Sequence, residues 1–195
     1  MSDVMYTFLG AVIGASAAFL SGPLLESYKR HRDRQGVASA LAGEIFAILH
    51  MTEKRKYVQS FEFDLAELKA GRDRVIENII GDTHSKLDPV IDKHIDKLGL
   101  LTGKSKTPER ITTFYTFLQG IRIDLSRLAT AEFEGKIKEK AFIIEEDLAL
   151  WKETAILGSD ICKELGRISE EKWWPVRFFD TQWNRLKVKV QLSAS

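Results

Sequence analysis

A chain of 195 residues with 29 Lys and Arg against 28 Asp and Glu carries a net charge of +1, and 44% of it is hydrophobic. Its single cysteine, Cys162, excludes an intrachain disulfide framework and suits a reducing compartment. The near-neutral total conceals an uneven distribution: residues 1–34 sum to +1, residues 172–195 to +4 and the segment between them to −4. Phosphate groups, of lipid or nucleotide, are therefore expected at the two ends, and the acidic middle reads as solvated surface.

The first element is the uncharged run from Val4 to Leu25, bounded by Asp3 and Glu26 and followed by the basic collar Lys29, Arg30, Arg32 and Arg34. A bilayer core of about 30 Å needs roughly 20 apolar helical residues, so the run predicts a transmembrane helix. Lys and Arg beside a span are retained in the cytoplasm. That rule puts the N-terminus outside, residues 26–195 inside, and a single-pass protein in the cytoplasmic membrane. A cleaved signal peptide is the competing reading, with Ala15-Ser16-Ala17 as the small-residue site. Against it, no positive charge precedes the run, and apolar character continues through Phe19, Leu20, Leu24 and Leu25.

On a helical wheel the side chains of this run sort by size. Gly10, Gly14, Ala17 and Ser21 form one small-residue stripe, and Ala11, Ala15, Ala18 and Gly22 form a second beside it. Phe8, Val12, Ile13, Phe19 and Leu20 fill the opposite side. Small residues let membrane helices approach closely, and Gly10 to Gly14 is a GxxxG pattern. One stripe serves a dimer, whereas two let each helix touch a neighbour on both sides. The expected partner is therefore the chain itself, in a ring such as a tetramer, within the lipid bilayer.

Pro23 stands where the helix leaves the bilayer, a position at which proline kinks a helix without ending it. No further proline occurs up to about Val58, and Val37, Leu41, Ile45, Ile48 and Thr52 recur at helical spacing, so the helix is expected to run on into the cytosol. The collar it carries has two readings. It is the topological stop signal, or, in a ring, a cationic mouth for anionic lipid, a nucleotide or a single-stranded oligonucleotide. Residues 61–80 predict a shorter arm interrupted at Gly71, with Val75, Ile76, Ile79 and Ile80 beyond the break. Leu87 to Leu98 predicts a helix with Asp88 as N-cap and Pro89 in first position, ending at Gly99. Gly103-Lys104-Ser105 resembles part of a phosphate loop but lacks the earlier glycine and the preceding strand.

Behind Thr107 as a cap, Ile111, Phe114, Leu118, Ile121, Leu125 and Leu128 predict a helix with one buried face. Ile137, Ala141, Ile144, Leu148, Trp151, Ala155, Gly158, Cys162 and Leu165 then keep an unbroken 4-3 step, the pattern of a coiled-coil seam within a bundle or between subunits. The last stretch interleaves Lys172, Trp173, Trp174, Arg177, Phe178, Phe179, Trp183, Arg185, Lys187 and Lys189. Three readings stay open for it: a cap on the bundle core, a membrane or partner surface, and a stacking platform for single-stranded nucleic acid. Residues 187–192 alternate like a short strand.

The four histidines are scattered, and Asp92, His94 and Asp96 at steps of two do not share a helical face, so no metal site is expected. No GxSxG, dinucleotide loop or acid–base pair is present, and neither catalytic residues nor a cofactor are expected. The fold class is thus all-α: a transmembrane helix and collar over 1–34, a cytosolic bundle with a long heptad-patterned helix over 35–171, and an aromatic and basic tail over 172–195.

The GxxxG helix running into Tyr28-Lys-Arg-His-Arg-Asp-Arg34, with Ala38 to Leu49, Lys97 to Leu101 and Phe114-Tyr115, resembles uncharacterised bacterial single-pass membrane proteins. The plan of one span and a helical cytosolic body is similar to that of small transmembrane effectors of anti-phage defence, including Hailong-type channel components. That resemblance implies a homo-oligomeric channel gated by its cytosolic domain under nucleotide or oligonucleotide control. A membrane-anchored adaptor whose bundle binds a partner protein is the alternative.

Overall fold

The computed structural model describes residues 2–74, 76, 89–102 and 106–177, and within its first helix the side chains of Gly14 and of residues from Ser21 onward. Among the described residues the main α-helices are α1 Ser2–Lys54, α2 Tyr57–Lys69, α3 Pro89–His94, α4 Thr107–Leu128 and α5 Ile137–Glu170. A 3-10 segment, Ile95–Leu101, follows α3, and a 3-10 turn, Ala131–Phe133, links α4 to α5. There is no strand among the described residues, and the fold is all-α. Two compact units divide the chain, one of residues 1–36 and 170–195 and the other of residues 37–169. Among the described residues no helix is long and apolar enough to cross a membrane. Most side chains of the uncharged run fall outside that set, as do the strand-like pattern at 187–192, Ile79, Ile80, Asp88 and the Gly103-Lys104-Ser105 loop.

In the larger unit the apolar periodicity dictates the burial. Ile111, Phe114, Leu118, Ile121, Leu125 and Leu128 of α4 are all buried, as their spacing predicts. Val37, Ala38, Leu41 and Ile45 of α1, Phe61 and Leu68 of α2, and Ile144, Leu148, Trp151, Ile161 and Leu165 of α5 complete the same core. Removing such side chains from water contributes roughly 1.5–3 kcal/mol each, which makes this shared core the main source of stability. Exposed ion pairs such as Lys69–Glu145 at 2.8 Å and Lys152–Glu62 at 3.2 Å link α2 to α5. They add at most about 1 kcal/mol apiece.

Three boundaries differ from the sequence expectation. The long helix stops at Lys54 rather than near Val58, because Lys56 takes a left-handed conformation with φ 56° and lets Tyr57 and Phe61 turn back onto the core. Neither proline nor glycine marks that break, so nothing local signalled it. The helix expected from Leu87 to Leu98 is α for only six described residues and then tightens to 3-10 through Gly99, with Leu98 and Leu101 buried. Thr107 does not cap α4. Lys106, at φ 52°, occupies the cap position without a side-chain bond, while the Thr107 hydroxyl donates to Glu164 on α5. The break at Gly71 is as expected. Its φ of 81° suits glycine, and Gly71 and Arg72 donate their backbone N–H groups to Leu68 and Glu67 to close α2.

The seam of α5 is rotated from the apolar pattern. Ile144, Trp151, Gly158 and Leu165 are buried as predicted, but the row that alternates with them is Lys140, Asp147, Thr154, Ile161 and Ile168. Ile137, Ala141, Ala155 and Cys162 are only half-buried, though Leu148 stays in the core. Three polar residues at a spacing of seven therefore occupy core-facing positions.

Gly158 is where α1, α4 and α5 close on one another. A Cβ atom there would stand 2.6 Å from Cε2 of Phe114 and 3.2 Å from Cδ1 of Leu49, and the Phe114 ring is fully buried. Gly158→Ala is expected to destabilise the chain by about 1–3 kcal/mol in denaturant unfolding, because overpacking outweighs the helix-propensity gain of about 1 kcal/mol. Gly120, on α4, has nothing within 4 Å of its would-be Cβ. Gly120→Ala should therefore stabilise by about 0.5–1 kcal/mol in the same assay.

Candidate functional site

In the smaller unit the collar meets the start of the tail. Trp173 packs edge-on against Tyr28, with ring centroids 5.2 Å apart, and its indole Nε1 donates to Ser27 Oγ at 3.4 Å. Arg34 pairs with Glu171 at 2.8 Å, and Arg177 approaches the other oxygen of the same carboxylate at 3.9 Å. Gln35 donates to the Glu171 carbonyl at 2.9 Å. The aromatic and basic pattern thus brings Trp173, Arg34 and Arg177 to one place, organised by Glu171, a residue that no local sequence signal marks.

The other collar residues stand apart. Arg30 pairs with Glu26 one turn back at 2.6 Å, both exposed, while Lys29 and Arg32 are exposed without a carboxylate partner among the described residues. Trp174, 61% exposed, lies away from the Tyr28 pairing, and Leu25 is 55% exposed. Ser21, Gly22, Leu24, Leu25, Tyr28 and Trp173 line a cavity of about 420 Å³. Of the small-residue face, Gly14 and Gly22 have no described atom within 4 Å of a would-be Cβ. The side chains of Ala11, Ala15, Ala17 and Ala18, and the surroundings of Gly10, lie outside the described set.

In the larger unit a cavity of about 460 Å³ opens between α1, α3, α4 and α5, with Ala47, Ile48, Met51, Val90, Leu118 and Trp151 supplying most of its apolar wall. Its polar members are Glu44, Thr52, Arg55, Tyr57 and Arg122. Glu44 is a junction of three helices: its carboxylate accepts the backbone N–H groups of Val90 at 2.8 Å and Ile91 at 3.2 Å, in the first turn of α3, and the hydroxyl of Tyr115 on α4. Arg55 donates to the Tyr57 hydroxyl at 2.9 Å. Apolar periodicity draws attention away from all of these, because Glu44, Arg55 and Arg122 read as solvated positions on amphipathic helices.

The polar row of α5 adds buried charge. Lys140, 4% exposed, places Nζ 2.7 Å from Asp73 and 3.1 Å from the Arg74 carbonyl. That contact, with the Gly135 N–H on the other Asp73 oxygen, holds the Asp73 carboxyl below its ordinary range. Thr154 donates to the Leu150 carbonyl at 2.7 Å. Asp147 has no such help. Its Oδ2 is buried without a hydrogen-bond partner, and burial, with smaller contributions from Asp124 on α4 and Glu146, pushes its pKa up to about 7. Burial likewise raises the Cys162 thiol, which suits packing rather than nucleophilic attack. No cluster of three metal-ligating side chains exists among the described residues.

An acid whose pKa is higher folded than unfolded holds its proton more tightly in the native state. Its contribution therefore stabilises at low pH and is lost as pH rises from about 4, where the unfolded carboxyl ionises, to about 7. The parent chain should lose stability between about pH 4 and about pH 7 from this source, and Asp147→Asn should flatten the profile, as thermal unfolding across that range would report. An unchanged profile would place the titrating group elsewhere.

Comparison of the chain with protein-family models, curated proteins and solved structures finds no match.

Proposed function

We propose that the protein is a homo-oligomeric, single-pass membrane protein whose first helix assembles with copies of itself into a pore, with the helical unit of residues 37–169 as the gate. The observation that carries this reading is α1 itself. One helix of 53 residues bears in turn the uncharged run, the basic collar and the core residues Val37, Ala38, Leu41 and Ile45. Exposed Leu24 and Leu25, followed by Tyr28 with Trp173 against it, support placing the membrane boundary there, since aromatic rings favour that interface. A nucleotide or short oligonucleotide is the gating ligand that the defence-effector resemblance implies, with Lys29 and Arg32 as the collar cations that have no carboxylate partner among the described residues.

An adaptor is favoured instead by one feature of the larger unit. Phe46, Phe142 and Ile156 are each more than 60% exposed, surfaces on which a partner protein could seat.

Open space beside Gly14 and Gly22 makes the test clean, because a larger side chain there meets no described atom of its own chain. The reconstituted protein should form a defined oligomer by mass photometry and pass ions in liposome flux assays. Gly14→Leu should abolish both without lowering helix content. A monomer indifferent to Gly14→Leu, with no flux, sinks the pore and leaves the adaptor.

A further inference from the structure

The cavity of the larger unit holds apolar walls and cationic groups in one place, and we infer that it is a binding site for a small amphiphile: an apolar body carrying a single anionic head. At about 460 Å³ it falls within the roughly 300–1,000 Å³ range of small-molecule sites. Most of its wall is aliphatic or aromatic, with Ile48, Met51, Leu118 and the buried Trp151 among its lining residues. An apolar ligand body gains there what these side chains gain in the core, by leaving water.

The sign of the head follows from how the charged groups are already engaged. Among the described residues Glu44 is the one carboxylate of the lining, and it is answered by two backbone N–H groups of α3 and by the Tyr115 hydroxyl. Its partners are neutral and leave its charge in place, but its two oxygens already accept three hydrogen bonds, so few acceptor positions remain for a cationic head. Two arginines share the lining, Arg55 and Arg122. The Arg55 guanidinium donates to a neutral phenol, that of Tyr57, and so keeps both its charge and further N–H donors for a ligand. A carboxylate or phosphate reaching Arg55 would make the charge-assisted, bidentate contact that guanidinium geometry favours. The body then lies against Met51, Leu118 and Trp151, and the head against Arg55. This site does not depend on the membrane reading, since none of its residues belongs to the uncharged run.

Octanoate, octanol and octylammonium share one apolar body and differ in the charge of the head, so they separate the two components of the site. The full-length chain, in nanodiscs or in buffer according to which keeps it monodisperse, is titrated calorimetrically with each, and the signal of empty nanodiscs is subtracted. Octanoate should saturate one site per chain, at least about tenfold more tightly than octanol, which corresponds to one net charge-assisted contact. Octylammonium should not saturate. Arg55→Gln should bring octanoate to the octanol level while leaving octanol unchanged. Ala47→Trp, which puts bulk into the cavity from an exposed helix position, should remove saturable binding of both, with circular dichroism and melting temperature confirming an intact fold. Absence of saturable octanoate binding, equal binding of the cation, or octanoate binding undiminished by Ala47→Trp would each overturn the assignment. A result that overturns it leaves the oligomer and flux measurements unaffected, so the two readings fail separately.

Discussion

The contact on which the larger unit depends is the seat of the Phe114 ring on the bare backbone of Gly158, with Leu49 closing the third side. Helices ordinarily keep side chains between their axes at separations of 8–10 Å. Leaving out a single Cβ lets an aromatic ring fill the space instead. Three helices distant in sequence thereby converge on one point. From it the apolar rows of α1 and α4 and the seam of α5 run out as one continuous core.

Polar groups then join elements that apolar packing alone would leave free to slide. Glu44 ties α1 to the start of α3 and to Tyr115 of α4, and Glu164 ties α5 to Thr107 and Arg110 at the start of α4. Both carboxylates meet donors near a helix start, where backbone N–H groups lack partners and negative charge is favoured. Asp147 is the exception, a buried carboxyl with one oxygen unmet. A half-satisfied polar group in a core costs stability, and here it makes that cost depend on pH.

The smaller unit uses another kind of contact. Glu171 draws together Arg34 and Arg177, and Trp173 sits on Tyr28 and Ser27. Basic and aromatic residues that look alike in the sequence thus divide into those engaged within the chain and those facing outward. Trp173 and Arg34 belong to the first group, and Trp174, Lys29 and Arg32 to the second.

The all-α class, the buried face of α4, the break at Gly71 and the run of α5 were legible in the residue order alone, because apolar spacing and glycine chemistry act over one or two turns of helix. The same order also carried the uncharged run and collar from which the membrane reading comes. The remaining features need groups from several elements at once. The left-handed turn at Lys56 follows from where α2 must pack, not from the residue that makes it. The rotation of the α5 seam onto Lys140, Asp147 and Thr154 follows because α4 and the Asp73 region supply neighbours that the α5 sequence does not contain. The cavity exists for the same reason: Arg55, Arg122 and Trp151 are dozens of residues apart, and only packing gives them a common wall.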